Sequence, residues 1–123
     1  MPYADDIDYH KVGAFSVGVD YTTIKNALPY AQVIQGIFPE SMVDMPSIAF
    51  AHIDVDQYKS YIDCINTLSP KMVKGGIMWL DDYELEGAKK AIDELIDKNN
   101  LIFAKCGYKR AYVKYWFLIF NFI

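Results

Sequence analysis

Cysteine is scarce in this chain. Cys64 and Cys106 are the only two, too few for a disulfide framework and without the spacing of a metal-ligand pair. They read as reduced thiols, the expectation for a cytoplasmic protein. Long apolar runs are missing as well: no stretch of about 18 consecutive apolar residues occurs, which speaks against a membrane span. The start, Met1-Pro2-Tyr3-Ala4-Asp5-Asp6, has neither the positive residues nor the apolar stretch of a signal peptide. Positive charge is in short supply too. The net charge is −4 with no basic block, so nucleic acid is not an expected partner. What the chain has in quantity is apolar surface. Hydrophobic residues make up 53% against 23% charged, so its 123 residues can close one packed core of modest size.

The pattern along the chain alternates short apolar strands with amphipathic helices. Residues 1–18 are polar and read as loop. Asp20 is an N-cap candidate for a helix presenting Tyr21, Ile24, Ala27 and Leu28 and stopping near Pro29. Ala31-Gln32-Val33-Ile34 reads as a strand ending at Gln35-Gly36. Another strand covers 48–53. After it, Tyr58, Tyr61, Ile62, Ile65 and Leu68 recur at helical spacing up to Pro70. Gly75-Gly76 reads as a turn into a strand at 77–80. Ala88, Ala91, Ile92, Leu95 and Ile96 mark a further helix ending near Asn99-Asn100. Strands follow at 101–104 and from Arg110 to about Leu118. This order predicts an α/β fold with a mainly parallel sheet.

Two strands end in carboxylates. Ile48–Ile53 runs into Asp54-Val55-Asp56, and Gly76–Leu80 runs into Asp81-Asp82. Parallel strands joined by a helix bring their C-terminal ends to one sheet edge, where open α/β sheets bind ligands. Such a carboxylate cluster needs a counter-charge, and oxygen donors suit a hard ion such as Mg²⁺. Asp54 and Asp56 share a face if the strand persists that far. The competing reading makes these residues helix-capping carboxylates. His52 reads as a core histidine more than a ligand. Tyr58 and Tyr83 read as packing residues as readily as pocket residues, and Lys89, Lys90 and Lys98 as a solvated helix face.

The stretch His52–Ile96 resembles the macrocin O-methyltransferase family, class I enzymes that methylate sugar hydroxyls with S-adenosylmethionine. The residues carrying the resemblance are His52, Asp54, Asp56, Tyr58, Pro70, Gly75, Gly76, Asp81, Asp82, Tyr83, Gly87, Ala88, Ala91 and Asp93, with Val33–Ser41 upstream. Residues 10–114 can be laid on the family. The resemblance implies Mg²⁺ bound by Asp54, Asp81 and Asp82, with Asp56 as the general base for a sugar or glycoside hydroxyl. It implies that Gln35 and Gly36 lie against the adenine, a plain turn being the competing reading. His10 would lie near the substrate.

The chain departs from the family in one respect. It has no Gly-x-Gly-x-x-Gly or similar loop after a strand. Laid on the family, it starts after the second strand. The fold expected is therefore a truncated Rossmann-like class I methyltransferase sheet lacking the first two strands and the glycine-rich loop. Weak or lost cofactor binding, an exposed strand edge and self-association are expected with it. Residues 1–114 form the partial domain, and 115–123 an apolar tail foreign to the family and β-prone. Two other readings stand beside it. One is a non-catalytic remnant or an assembly half needing another chain. The other is a haloacid dehalogenase-like phosphatase, which wants Thr or Val where this chain has Tyr58. An Asp-x-Asp glycosyltransferase would not require Asp81-Asp82.

Overall fold

The computed structural model describes residues 7–8, 20–99, 102–106 and 109–115. His10 and the tail beyond Tyr115 lie outside the described residues. The elements in chain order are α1 (Tyr21–Ala27), β1 (Ile48–Ile53), α2 (Tyr58–Leu68), a 3₁₀ turn (Ser69–Lys71), β2 (Met72–Leu80), α3 (Glu86–Asn99), β3 (Ile102–Cys106) and β4 (Arg110–Lys114).

The four strands form one sheet in the order β1-β2-β4-β3. β1 and β2 are parallel and joined through α2. β2 pairs antiparallel with β4, and β4 antiparallel with β3. The sheet is thus mixed, where a mainly parallel one was expected. The reason is local: β3 and β4 are separated by three residues, a connection long enough for a hairpin and far too short for a parallel crossover. The expected strand at 31–34 is not formed either. Ala31, Gln32 and Ile34 are exposed in irregular chain. Among the described residues no strand lies beside them, so their β propensity has no ladder to complete.

The core lies between one face of the sheet and the pair α2 and α3. Tyr61, Cys64, Ile65 and Leu68 recur on one side of α2 and are buried. Ala88, Ala91, Ile92 and Leu95 do the same for α3. They pack against Ile53, Met78, Leu80, Ala111 and Val113 from alternate positions of the strands. A fully buried side chain of this size contributes about 1.5–3 kcal/mol. On the other face Trp79 and Tyr112, opposite each other in the register, stack with ring planes 1° apart.

Gly75 and Gly76 do not end a loop but lie inside β2. The register between β1 and β2 slips by a bulge between Ile48 and Phe50. Gly75 takes φ +81°, and a Cβ at Gly76 would stand 2.9 Å from the Val73 carbonyl oxygen. The bulge therefore needs both glycines. Tyr115 closes it: its N–H bonds Gly76 O at 2.9 Å and its carbonyl accepts from the Gly75 N–H.

α1 starts as expected, with Asp20 Oδ1 accepting the Thr23 N–H at 2.8 Å. It buries no residue, and Leu28 just beyond it is exposed. β1 is an edge strand, with Phe50 62% exposed on its outer face.

Candidate functional site

β1 and β2 run in parallel and in register at their ends, with Ile53 beside Leu80. The first residues past each strand are therefore neighbours. The Asp81 N–H bonds the Ile53 carbonyl at 3.0 Å, extending the ladder by one step and setting Asp81-Asp82 next to Asp54. The expected meeting of carboxylates at one sheet edge is present, but each carboxylate has its own surroundings.

Asp82 is buried at 7% exposure. Its Oδ2 accepts the Asp56 N–H at 3.1 Å and the Tyr61 hydroxyl at 2.8 Å. Its own N–H donates to the Tyr61 oxygen at 3.2 Å. Burial pushes its carboxyl above the ordinary aspartate range, more than the Tyr61 bond lowers it. The Tyr61 phenol is pushed up in turn, by burial and then by the Asp82 charge.

Asp81 turns the other way. Arg110, the first residue of β4, donates from Nε to Asp81 Oδ1 at 2.5 Å. That bond holds the Asp81 carboxyl below its ordinary range. His52 Nε2 lies 3.8 Å from the same oxygen. His52 is exposed, which corrects its reading as a core residue: strand alternation puts its neighbours Ala51 and Ile53 on the core side instead. Arg110 was not legible as a site residue, because only the β2–β4 pairing carries it to Asp81.

Asp54 is raised by lost hydration first and then by the negative charges of Asp82 and Asp81. Asp56 does not continue the strand, which stops at Ile53. It takes φ +58°, in a three-residue turn closed by the Gln57 N–H on the Val55 carbonyl at 2.5 Å. The turn, not strand alternation, brings it to Asp54.

Two sets of possible metal donors result. Asp54, Asp56 and Asp82 offer oxygen atoms within 4.8 Å of one another; His52, Asp54 and Asp81 form the other set. The first set is all oxygen, and the carboxyls of Asp54 and Asp82 in it are raised, first by lost hydration. That chemistry fits a hard divalent ion. In the second set Arg110 already neutralises Asp81. Asp54 belongs to both; Asp81 and Asp82 are divided between them.

Gln35 and Gly36 are exposed. Gly36 is required by its own loop, since a Cβ there would stand 2.5 Å from Ser41 Cβ. Tyr58 and Tyr83 are packing residues that tie down α3: their hydroxyls donate to Glu94 at 2.6 Å and Asp93 at 2.7 Å. Lys89 and Lys90 are exposed and pair with Asp93 and Glu94 along the helix. Burial pushes the Cys64 thiol up to about 12, so it is no thiolate nucleophile. No helix among the described residues is long and apolar enough to cross a membrane.

A family model described as Macrocin-O-methyltransferase (TylF) matches residues 17–104. Eleven chains of known structure match. One is titled "Structure of the O-methyltransferase NovP"; it is 27% identical with a TM-score of 0.53, and the match covers 57% of this chain and 30% of that one. A search of curated proteins returned no match.

Proposed function

The chain belongs to the macrocin-O-methyltransferase family, and from that premise we propose that it carries the metal-and-base part of a Mg²⁺-assisted, S-adenosylmethionine-dependent O-methyltransferase acting on a sugar hydroxyl. The observation that carries the reading is the junction of Asp54, Asp56 and Asp82 at the shared end of two parallel strands.

Asp54 and Asp82, with Asp81 as further donor, would hold the divalent ion, and Asp56 beside them would stay free of it. When bound, such an ion orients an acceptor hydroxyl and lowers its pKa. Asp56 stands at the outer turn of the cluster and takes the proton from that hydroxyl. Tyr61 and the Asp56 N–H hold the Asp82 carboxylate in place. Arg110 holds Asp81 and keeps one carboxylate of the cluster neutralised.

The cofactor does not fit in the same way. Gripping it needs glycine-rich and acidic turns after strands, which the described residues do not offer. No step is therefore derived through it. The stretch aligned with NovP spans only 30% of that chain, and the proposal includes partners for the rest: another segment, or a second chain laid along the β1 edge, which pairs with no further strand among the described residues. Residues 1–114 act as the partial domain in this reading, and Tyr115, which closes the bulge in β2, belongs with them. The test is transfer of a labelled methyl group to a panel of glycosides, with and without Mg²⁺, at a high cofactor concentration that offsets weak binding by mass action. Mg²⁺-dependent labelling of a sugar hydroxyl supports the proposal. Labelling indifferent to Mg²⁺ and to Asp54→Asn refutes it.

A further inference from the structure

Asp8 is a buried carboxylate far from the cluster in sequence, at 3% exposure. Its Oδ1 accepts the N–H of Tyr58 at 2.9 Å. Tyr58 is the first residue of α2, and the N-cap residue Gln57 makes no side-chain capping bond. A residue fifty positions upstream thus does the work of a cap.

The same carboxylate lies against the start of α3. A Cβ on Gly87, the second residue of that helix, would stand 1.9 Å from Asp8 Oδ1 and 3.2 Å from the Tyr58 nitrogen. Glycine is a poor choice inside a helix on propensity. Here it leaves the slot that Asp8 fills. Two helix N-termini, each a partial positive charge, converge on one buried carboxylate.

Asp8 grips Tyr58, the residue that follows the Val55–Gln57 turn, whose central residue is Asp56. Asp56 has positive φ, an uncommon state for a residue with a side chain. Such states persist where the surroundings over-determine them. Two anchors do so here, one on each side: Asp82 Oδ2 on the Asp56 N–H, and Asp8 Oδ1 on the Tyr58 N–H. We infer that Asp8 is a positioning residue, whose carboxylate between the starts of α2 and α3 fixes the turn that aims Asp56 at the acceptor hydroxyl. The inference rests on the reading of Asp56 as the base.

NMR on the labelled full chain, with kinetics alongside, tests it. In Asp8→Ala the three-bond amide–Hα coupling of Asp56, which reports its φ, is expected to leave the value it has in the wild type. Amide exchange at Tyr58 is expected to quicken about tenfold with loss of that bond. Misaiming of Asp56 is expected to lower kcat about 10²-fold with KM unchanged. Asp8→Asn, whose amide oxygen can still accept the Tyr58 N–H, is expected to keep the wild-type coupling and most of kcat. A wild-type coupling in Asp8→Ala overturns the inference. If that variant does not fold, Gly87→Ala, whose methyl displaces the same carboxylate, is read in the same way. Full turnover in Asp56→Asn together with a shifted coupling in Asp8→Ala defeats the base assignment and leaves the anchoring intact. Lost turnover in Asp56→Asn with coupling and kcat unchanged in Asp8→Ala defeats the positioning role alone.

Discussion

The Asp82 carboxylate accepts the backbone N–H of Asp56 at 3.1 Å, across 26 residues of sequence. One strand's terminal carboxylate thereby holds the turn that follows the neighbouring strand. The bond sets the spacing of Asp54, Asp56 and Asp82, and with it the oxygen cluster. It also gives the buried Asp82 a structural part in the fold, which separates its expected behaviour from that of the exposed Asp54.

Asp54→Asn is expected to weaken Mg²⁺ or Mn²⁺ binding by at least about tenfold, with little change in fold, because Asp54 belongs to both donor sets. Losing one charged ligand is worth about 1.5–3 kcal/mol. Calorimetric titration of the folded protein measures it. Equal affinity in wild type and variant would remove Asp54 from the site.

Asp56→Asn should abolish methyl transfer and leave metal affinity within a few-fold. Asparagine tolerates the positive φ of this position and keeps an oxygen. It cannot take the proton, and general-base removal costs typically about 10²–10⁴ in rate. Wild-type turnover in the variant is the result that sinks the assignment.

Stability should depend on pH in a stated direction. Asp54 and Asp82 have carboxyls raised above the ordinary 3.8, so the folded state holds more protons than the unfolded one between that value and their raised values. Stability then falls as pH rises through this window. Asp81 is shifted down by Arg110, so its contribution is present above 3.8 and is lost as pH falls further. The metal-free protein is expected to be most stable in mildly acidic solution, and added Mg²⁺ to raise Tm more at pH 7 than at pH 5. Melting curves across pH with Mg²⁺ or a chelator decide it; a Mg²⁺ effect that is larger at pH 5 contradicts the prediction.

Tyr61→Phe is expected to destabilise the fold by about 1–3 kcal/mol, since it leaves the buried Asp82 carboxylate without its hydroxyl donor and the Asp82 N–H without an acceptor. Denaturant unfolding gives the number. A midpoint unchanged from wild type would mean that water replaces the hydroxyl at no cost.

Cofactor affinity of this chain alone should be poor. If the glycine-rich and acidic turns are absent, as proposed, several hydrogen bonds to a charged ligand go with them, at roughly 1.5–3 kcal/mol each, which amounts to several orders of magnitude. Equilibrium dialysis with labelled S-adenosylmethionine reads it, and micromolar binding by a monomer would show that this chain builds its own cofactor cradle.

Much of this was legible along the chain. The apolar spacing from Tyr58 to Leu68 and from Ala88 to Ile96 placed α2 and α3, because helical periodicity is a local property that burial then exploits. The apolar run at 48–53 followed by Asp54, and the second run followed by Asp81-Asp82, placed the carboxylates at one edge, because parallel strands end together. Partner-dependent features were not legible. Ala31–Ile34 has strand composition but pairs with no strand among the described residues. Gly75-Gly76 has turn composition but serves a bulge inside β2, because the register to β1 requires it. Consecutive Asp81 and Asp82 look equivalent in sequence, yet Arg110 from β4 takes one and Tyr61 from α2 the other. Asp8 looked like loop, and only folding brings it to the start of α2. Periodicity and composition are written residue by residue and decide which elements form. Pairing, burial and charge neighbours are relations between distant residues, and only the tertiary structure decides which carboxylate is buried, which is neutralised and which stands on a turn with positive φ.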